Sequence, residues 1–183
     1  MNISERLKQL PPQDRSHIIG TVEYIQEQWI LFDEQDDPIS FKEFSGQPFE
    51  IWIHSKWVLF NNLDEGMAFG TMNYAIKDGD KVRIPNPLQF VYQEWLSELS
   101  DDTLMQFVNT LNQAGFSIFD CIYCHNYLFF QVANKRVSGT NFLLFDNDEQ
   151  VCNVQHFFKR NGKHFDRFEF TLNSGTRKLL TTL

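Results

Sequence analysis

Two groups of side chains in this 183-residue chain have the types and spacing to do chemistry. The first is Cys121-Ile122-Tyr123-Cys124-His125, followed by Cys152 and His156. Thiolates and imidazole are soft ligands, and Cys121, Cys124, Cys152 and His156 make up the Cys₃His set that tetrahedral Zn²⁺ accepts. Cys-x-x-Cys-His is also the spacing that attaches haem c, but that chemistry requires export. A zinc pair of this kind sits on a tight turn, whereas Ile122 and Tyr123 lie inside an apolar run. On a regular strand, residues three apart face opposite sides. The expectation is therefore that the cysteines are core residues and that the chain carries no metal and no cofactor, since Cys is among the most buried residue types.

The second group follows from Asn161-Gly162, the two-residue signature of a type I′ hairpin. Such a turn pairs Arg160 with Lys163, Phe158 with Phe165, His156 with Arg167 and Val154 with Glu169. One sheet face then gathers His156, Arg167 and Glu169 beside two phenylalanines, and the other carries Val151, Phe157, Phe168, Phe170 and Leu172 as the core. Arg167 could take a carboxylate or phosphate bidentately, and His156 could donate, accept or exchange a proton. The same three residues also read as cross-strand charge pairing on a solvated face. At the hairpin tip Lys159, Arg160 and Lys163, with Arg177 and Lys178 on the next strand, interleave with phenylalanines, a pattern that single-stranded nucleic acid can use.

The elements that must position these groups are legible from pattern. Residues 3 to 10 suggest a short helix ended by Pro11-Pro12. From His17, β-branched and aromatic runs broken by polar pairs read as a meander: 18 to 25, 29 to 32, 49 to 54, 56 to 60 and 81 to 84, with an open loop before Asp78-Gly79-Asp80. Five short strands without an intervening helix suggest a small closed, SH3-like barrel with Trp52, Trp57 and Tyr74 available for binding. Asn86 and Pro87 then read as the start of a helix with a stripe of Leu88, Val91, Tyr92, Trp95, Leu96 and Leu99. Ser100 caps a second, with Leu104, Phe107, Val108 and Leu111 inward and Gly115 as the stop. Strands over 116 to 124, 127 to 132, 142 to 146, 151 to 160, 163 to 172 and 176 to 182 complete the chain. The expected fold class is α+β, with a β-barrel-like domain over residues 1–85 and an α+β domain over 86–183 made of a helix pair packed on an antiparallel sheet.

Charge narrows the partners. Sixteen Lys+Arg against 24 Asp+Glu give a formal charge of -8, which disfavours phosphate backbones and anionic lipid. Residues 1 to 115 hold 8 basic and 18 acidic side chains, and residues 116 to 183 hold 8 and 6, so the halves differ by sign. No stretch reaches membrane-spanning length, and the N-terminal residues lack a basic segment followed by an apolar one, so the cytoplasm is the expected compartment and no membrane is involved. Three cysteines, an odd number, fit a reducing setting.

Three stretches, Gly79-Asp80-Lys81-Val82-Arg83-Ile84-Pro85, Asp120-Cys121-Ile122-Tyr123-Cys124-His125-Asn126 and Phe165-Asp166-Arg167-Phe168-Glu169-Phe170-Thr171-Leu172-Asn173, resemble an uncharacterised family of small proteins from Bacillus-type bacteria. The resemblance implies a bacterial, cytoplasmic setting and no particular activity. The sequence thus reads as a non-enzymatic binding or regulatory module for a protein or small-molecule partner. The alternatives are a small-molecule enzyme using His156, Arg167 and Glu169, or a zinc-stabilised adaptor.

Overall fold

The structure, a computed structural model, describes residues 3–127, 138–160 and 164–182. The chain forms two compact units, Ser16–Asn86 and Pro87–Leu183 together with Met1–Arg15. Strands dominate both, in two large antiparallel sheets, so the protein is mainly β rather than the α+β fold expected from the sequence.

In Ser16–Asn86, eight strands form one antiparallel sheet: β1 (His17–Ile25), β2 (Gln28–Asp33), β3 (Pro38–Ser40), β4 (Phe49–Ile53), β5 (Lys56–Asp64), β6 (Met67–Gly70), β7 (Asn73–Ala75) and β8 (Lys81–Pro85). Their spatial order is β3-β2-β1-β8-β4-β5-β6-β7. Three hairpins turn on two left-handed residues each, Gln26-Glu27, His54-Ser55 and Glu65-Gly66, the conformation whose twist matches that of paired strands. Only the last contains glycine. The other two place ordinary side chains at positive φ, which hides them from a search for Asn-Gly or Asp-Gly.

The expected closed barrel does not form. β3 and β7 are the sheet's two edges, each three residues long, and they do not pair with one another. The chain leaves β3 directly into a 3₁₀ turn at Phe41–Phe44, which drives Phe41 onto Phe49 with ring centroids 5.1 Å apart. The stretch expected to be an open loop instead supplies β6 and β7, too short to show a clear alternation. Opposite the bulge between Phe60 and Asn62 lies Gly70, where an added Cβ would stand 2.5 Å from the Leu59 carbonyl oxygen. Backbone therefore approaches backbone there. Val22, Leu31, Ile51, Phe60, Val82 and Ile84 form the core, all fully buried.

The other unit begins with α1 (Ile3–Leu7). Its Arg6 donates to the carbonyls of Leu96 at 3.1 Å, Ser97 at 3.2 Å and Leu99 at 2.7 Å, the C-terminal end of α2 (Phe90–Glu98). A helix end presents unpaired carbonyls and the negative pole of its dipole, so a guanidinium fits it. α2 starts later than expected: Gln89 precedes it without a side-chain cap, and the Asn86 amide instead donates to Ser16. α3 (Asp101–Asn112) is capped by Ser100, whose hydroxyl accepts from the Thr103 amide, and a left-handed Gly115 follows its end.

The helices are short and do not form the expected helix pair covering the sheet; they meet through Trp95 and Phe107, ring centroids 5.1 Å apart. Leu99 and Ser100 between them are extended, α2 runs along β9 (Cys121–His125), and the five-stranded sheet continues through β10 (Ser138–Asp146), β11 (Val151–Lys159), β12 (Phe165–Leu172) and β13 (Arg177–Thr182), the last lying against α3. The sheet order is β13-β12-β11-β10-β9. Tyr92, Trp95 and Leu96 share one core with Phe107, Leu111, Phe145, Val154, Phe168 and Phe170.

Candidate functional site

The β11–β12 register decides where His156, Arg167 and Glu169 stand. His156 pairs with Phe168, Phe157 with Arg167, Gln155 with Glu169 and Lys159 with Phe165. This is one residue away from the expected pairing, and Asn161-Gly162 lies outside the described residues. Because side chains alternate, a one-residue difference exchanges faces. His156 enters the core beside Asp166 and Phe168, while Arg167 and Glu169 form an ion pair with each other on the opposite, outer face. The three residues do not come together.

What surrounds His156 is a closed polar chain. Trp95 Nε1 lies 2.9 Å from His156 Nδ1, His156 Nε2 lies 2.7 Å from Asp166 Oδ1, and Arg160 Nη2 donates to that same oxygen at 2.6 Å. An indole N–H can only donate, so Nδ1 must accept and the proton sits on Nε2, directed at Asp166. Asn141 agrees: its Oδ1 accepts from the Tyr127 amide, which leaves its Nδ2, 3.1 Å from Nδ1, facing the imidazole. The ring is neutral, fully buried, and stacked on Phe168 with centroids 4.4 Å apart.

Burial lowers the His156 pKa, aided by Arg160 and opposed by Asp166. Burial alone would raise Asp166, but its bonds from His156 and Arg160 prevail and hold it below the usual carboxylate range. Nearby Glu98, solvent-exposed over part of its side chain, is pushed up to about 7, first by burial and further by Glu94, against Arg160 and Asn126. An Asp–His pair orients a general base only if the second ring nitrogen meets a substrate. Here Trp95 and Asn141 occupy it. The arrangement fixes the histidine and offers no proton to a ligand.

The cysteines correct a different assumption. Cys121 pairs with Phe145 and Tyr123 with Leu144, so Ile122 is an extra residue on β9. This bulge reverses the alternation, and Cys121 and Cys124 both pack against the same core. Burial raises both thiols, Cys121 furthest and Cys124 to about 12, and raises Cys152 to about 11. Thiols held in that range are protonated and inert, small apolar residues in effect. Among the described residues, no three His, Cys, Asp or Glu side chains gather as a metal would require.

The expected basic patch is dispersed as well. Arg160 turns inward to Asp166, Phe158 is buried, Lys178 donates to the Gln113 carbonyl at 2.9 Å, and Lys163 lies outside the described residues.

An open concavity lies in the other unit. A groove of about 1220 Å³ runs between the β1–β2 turn, the segment from Phe41 to Gln47, the β5–β6 turn and residues Ala75 to Asp78. Phe41 and Phe49 are its buried floor, with half-buried Trp29 and Phe44 and exposed Tyr24 standing above them. Tyr24 and Trp29 pack with centroids 5.1 Å apart. Gly66 belongs where it is because its φ of +81° is one that side chains rarely adopt; it sits against the Trp29 indole, 3.4 Å from where a Cβ would stand.

Backbone bonds hold the walls. Ile76 donates to Gly66 at 2.9 Å, Gln47 to Phe44 at 3.0 Å, and the Tyr24 amide to the Asp78 carboxylate at 2.7 Å. Four carboxylates, Glu27, Asp64, Glu65 and Asp78, stand along the groove against two ammonium groups, Lys42 and Lys77. Of the residues the sequence singled out for binding here, Trp52 and Trp57 pair on the β4–β5 hairpin outside the groove, with Arg83 over Trp57, and the Tyr74 hydroxyl donates to Asp80. The groove residues carried no recognisable signal, because they come from four separated turns.

Fold and groove define a two-unit, mainly β protein with an aromatic-floored concavity in its N-terminal sheet. The chain matches the family described as a protein of unknown function, DUF2777, over residues 4–182, and it belongs to that family. It is similar to the uncharacterized protein YisN of Bacillus subtilis (strain 168), at 28% identity over 182 residues covering 97% of this chain and 92% of that protein. No solved structure matches it. Among the described residues no helix is long and apolar enough to cross a membrane.

Proposed function

We propose that the protein is a non-catalytic binding module whose ligand site is the groove of residues Ser16–Asn86. The observation that carries this reading is a wide concavity in which aromatic rings are left partly uncovered on walls fixed by backbone hydrogen bonds. Concave sites with an apolar floor and a few placed polar groups are where ligands bind. The enzyme alternative loses its basis, since His156 has no open ring nitrogen and stands across the sheet from Arg167 and Glu169. Work in the cytoplasm fits three cysteines that are all free thiols.

The reading is tested by recording amide NMR spectra of the full chain with a panel of short basic, neutral and acidic peptides and neutral oligosaccharides. Shifts clustered at Tyr24, Trp29, Ser45 and Gly66 are expected. Shifts confined to the outer face around Phe157 and Arg167 would overturn the assignment.

A further inference from the structure

We propose that the groove's occupant is an extended, positively charged segment of another polypeptide. This rests on the groove being the binding site, and it adds the chemistry of the partner. At about 1220 Å³ and partly open to solvent, the groove exceeds the roughly 300–1,000 Å³ typical of small-molecule sites, and a compact ligand would leave much of it unfilled. An extended chain advancing about 3.3 Å per residue can follow it from turn to turn.

Residues 16–86 contain 5 basic and 12 acidic side chains, so 5 − 12 = -7, nearly all of the chain's -8. The four groove carboxylates come from three separate segments: Glu27 on the β1–β2 turn, Asp64 at the end of β5 with Glu65 on the turn after it, and Asp78, bonded to the Tyr24 amide, before β8. Negative potential therefore surrounds the mouth and steers a cation inward, while Lys42 and Lys77 offset only part of it. Lys and Arg carry apolar stems beneath their charged heads, and a guanidinium or ammonium is attracted to an aromatic face. Tyr24 and Trp29 beside Glu27 and Glu65 suit a side chain whose stem lies on a ring and whose head meets a carboxylate.

The test is fluorescence anisotropy of the full chain with a fluorescein-labelled dodecapeptide of Lys, Arg, Tyr and Gly. Matched peptides carry Gln or Glu in place of Lys and Arg, and labelled maltoheptaose serves as an uncharged polymer. The basic peptide should bind at least about ten-fold more tightly than the Gln peptide and weaken by a similar factor at high salt. Glu65→Lys should weaken it about ten-fold, with Glu27→Lys as a second reversal at an exposed turn. Ala75→Trp, which obstructs the groove without changing charge, should abolish it, and urea midpoints verify that each variant is folded.

If the Gln peptide or the oligosaccharide binds as well and only Ala75→Trp removes it, the groove reading stands and the cationic partner is wrong. If the basic peptide binds but ignores Ala75→Trp, the attraction is general adhesion to an acidic surface and the inference fails. Absence of binding by the basic peptide overturns it outright.

Discussion

Around His156 the polar atoms are taken up by neighbours, whereas along the groove of residues 16–86 carboxylates and rings face an open concavity. Both regions collect titratable and aromatic side chains, yet the second leaves part of them facing solvent, with Asp78 alone of the groove carboxylates bonded to a wall amide among the described residues. Polar groups inside a protein must be paired or they cost stability, so a complete network reports on folding. A groove whose walls are held by backbone bonds and the Asp78 carboxylate, with Glu27, Asp64 and Glu65 along its mouth, reports on something still to arrive.

The largest expected effect comes from breaking the closed network. Asp166→Ala removes the acceptor of both His156 and Arg160, leaving the buried His156 Nε2–H unpaired and the half-buried Arg160 guanidinium with only its backbone acceptors Lys159 and Phe165. The cost should be about 3–5 kcal/mol, the range for deleting one partner of a buried ionic group. Urea denaturation measures it. A loss under about 1 kcal/mol would mean the network is solvated and the contrast with the groove is not real.

Acid should separate the regions next. His156 has a folded pKa below its ordinary 6.5, so the unfolded chain binds more protons and stability falls as pH drops from about 6.5 downward. Asp166, held below its ordinary 3.8, adds a further loss under about pH 4. Glu98 works in the other direction: raised from 4.5 to about 7, it lowers stability as pH rises through that window. His17, in the N-terminal unit, is also lowered, by burial and Arg83 against Glu50, so the measurement belongs in a His17→Gln, Glu98→Gln background. There the urea midpoint should fall between pH 7.5 and 5.0. A flat profile would show that His156 is not held neutral by folding.

The contrast also explains what could be read from the chain. The stripe of α3, its Ser100 cap and its Gly115 stop were legible because local periodicity and capping chemistry determine them. On β12 the core face of Asp166, Phe168, Phe170 and Leu172 was equally legible, since it alternates with polar residues. β11 was not: Phe157 and Phe158 are adjacent, so apolar pattern alone assigns neither face, and the inferred turn length chose wrongly. The bulge at Ile122 is the same failure at the cysteines, because one unpaired residue changes parity without leaving a mark in composition. Sheet closure was illegible for a longer-range reason. β3 and β7 are far apart in sequence and three residues long each, and no local pattern encodes whether two such edges pair.

The smallest expected effect lies on the outer face of the five-stranded sheet. Arg167 and Glu169, two apart on β12, bond to each other with Arg167 46% exposed, and the guanidinium stands 5.7 Å from the Phe157 ring. Exposed pairs of this kind contribute roughly 0–1 kcal/mol, because water screens the attraction and ordering two long side chains opposes it. Arg167→Ala should therefore move the urea midpoint barely at all, and a double-mutant cycle with Glu169→Ala should give a coupling of about 0.2–1 kcal/mol. The expectation depends on register. If β12 were shifted by one residue, Arg167 would stand beside His156 in the core, and its removal would cost as much as that of Asp166. Near-equal losses for the two substitutions would move the polar centre of this unit back to the outer pair; a several-fold difference places Arg167 on a surface that folding leaves free.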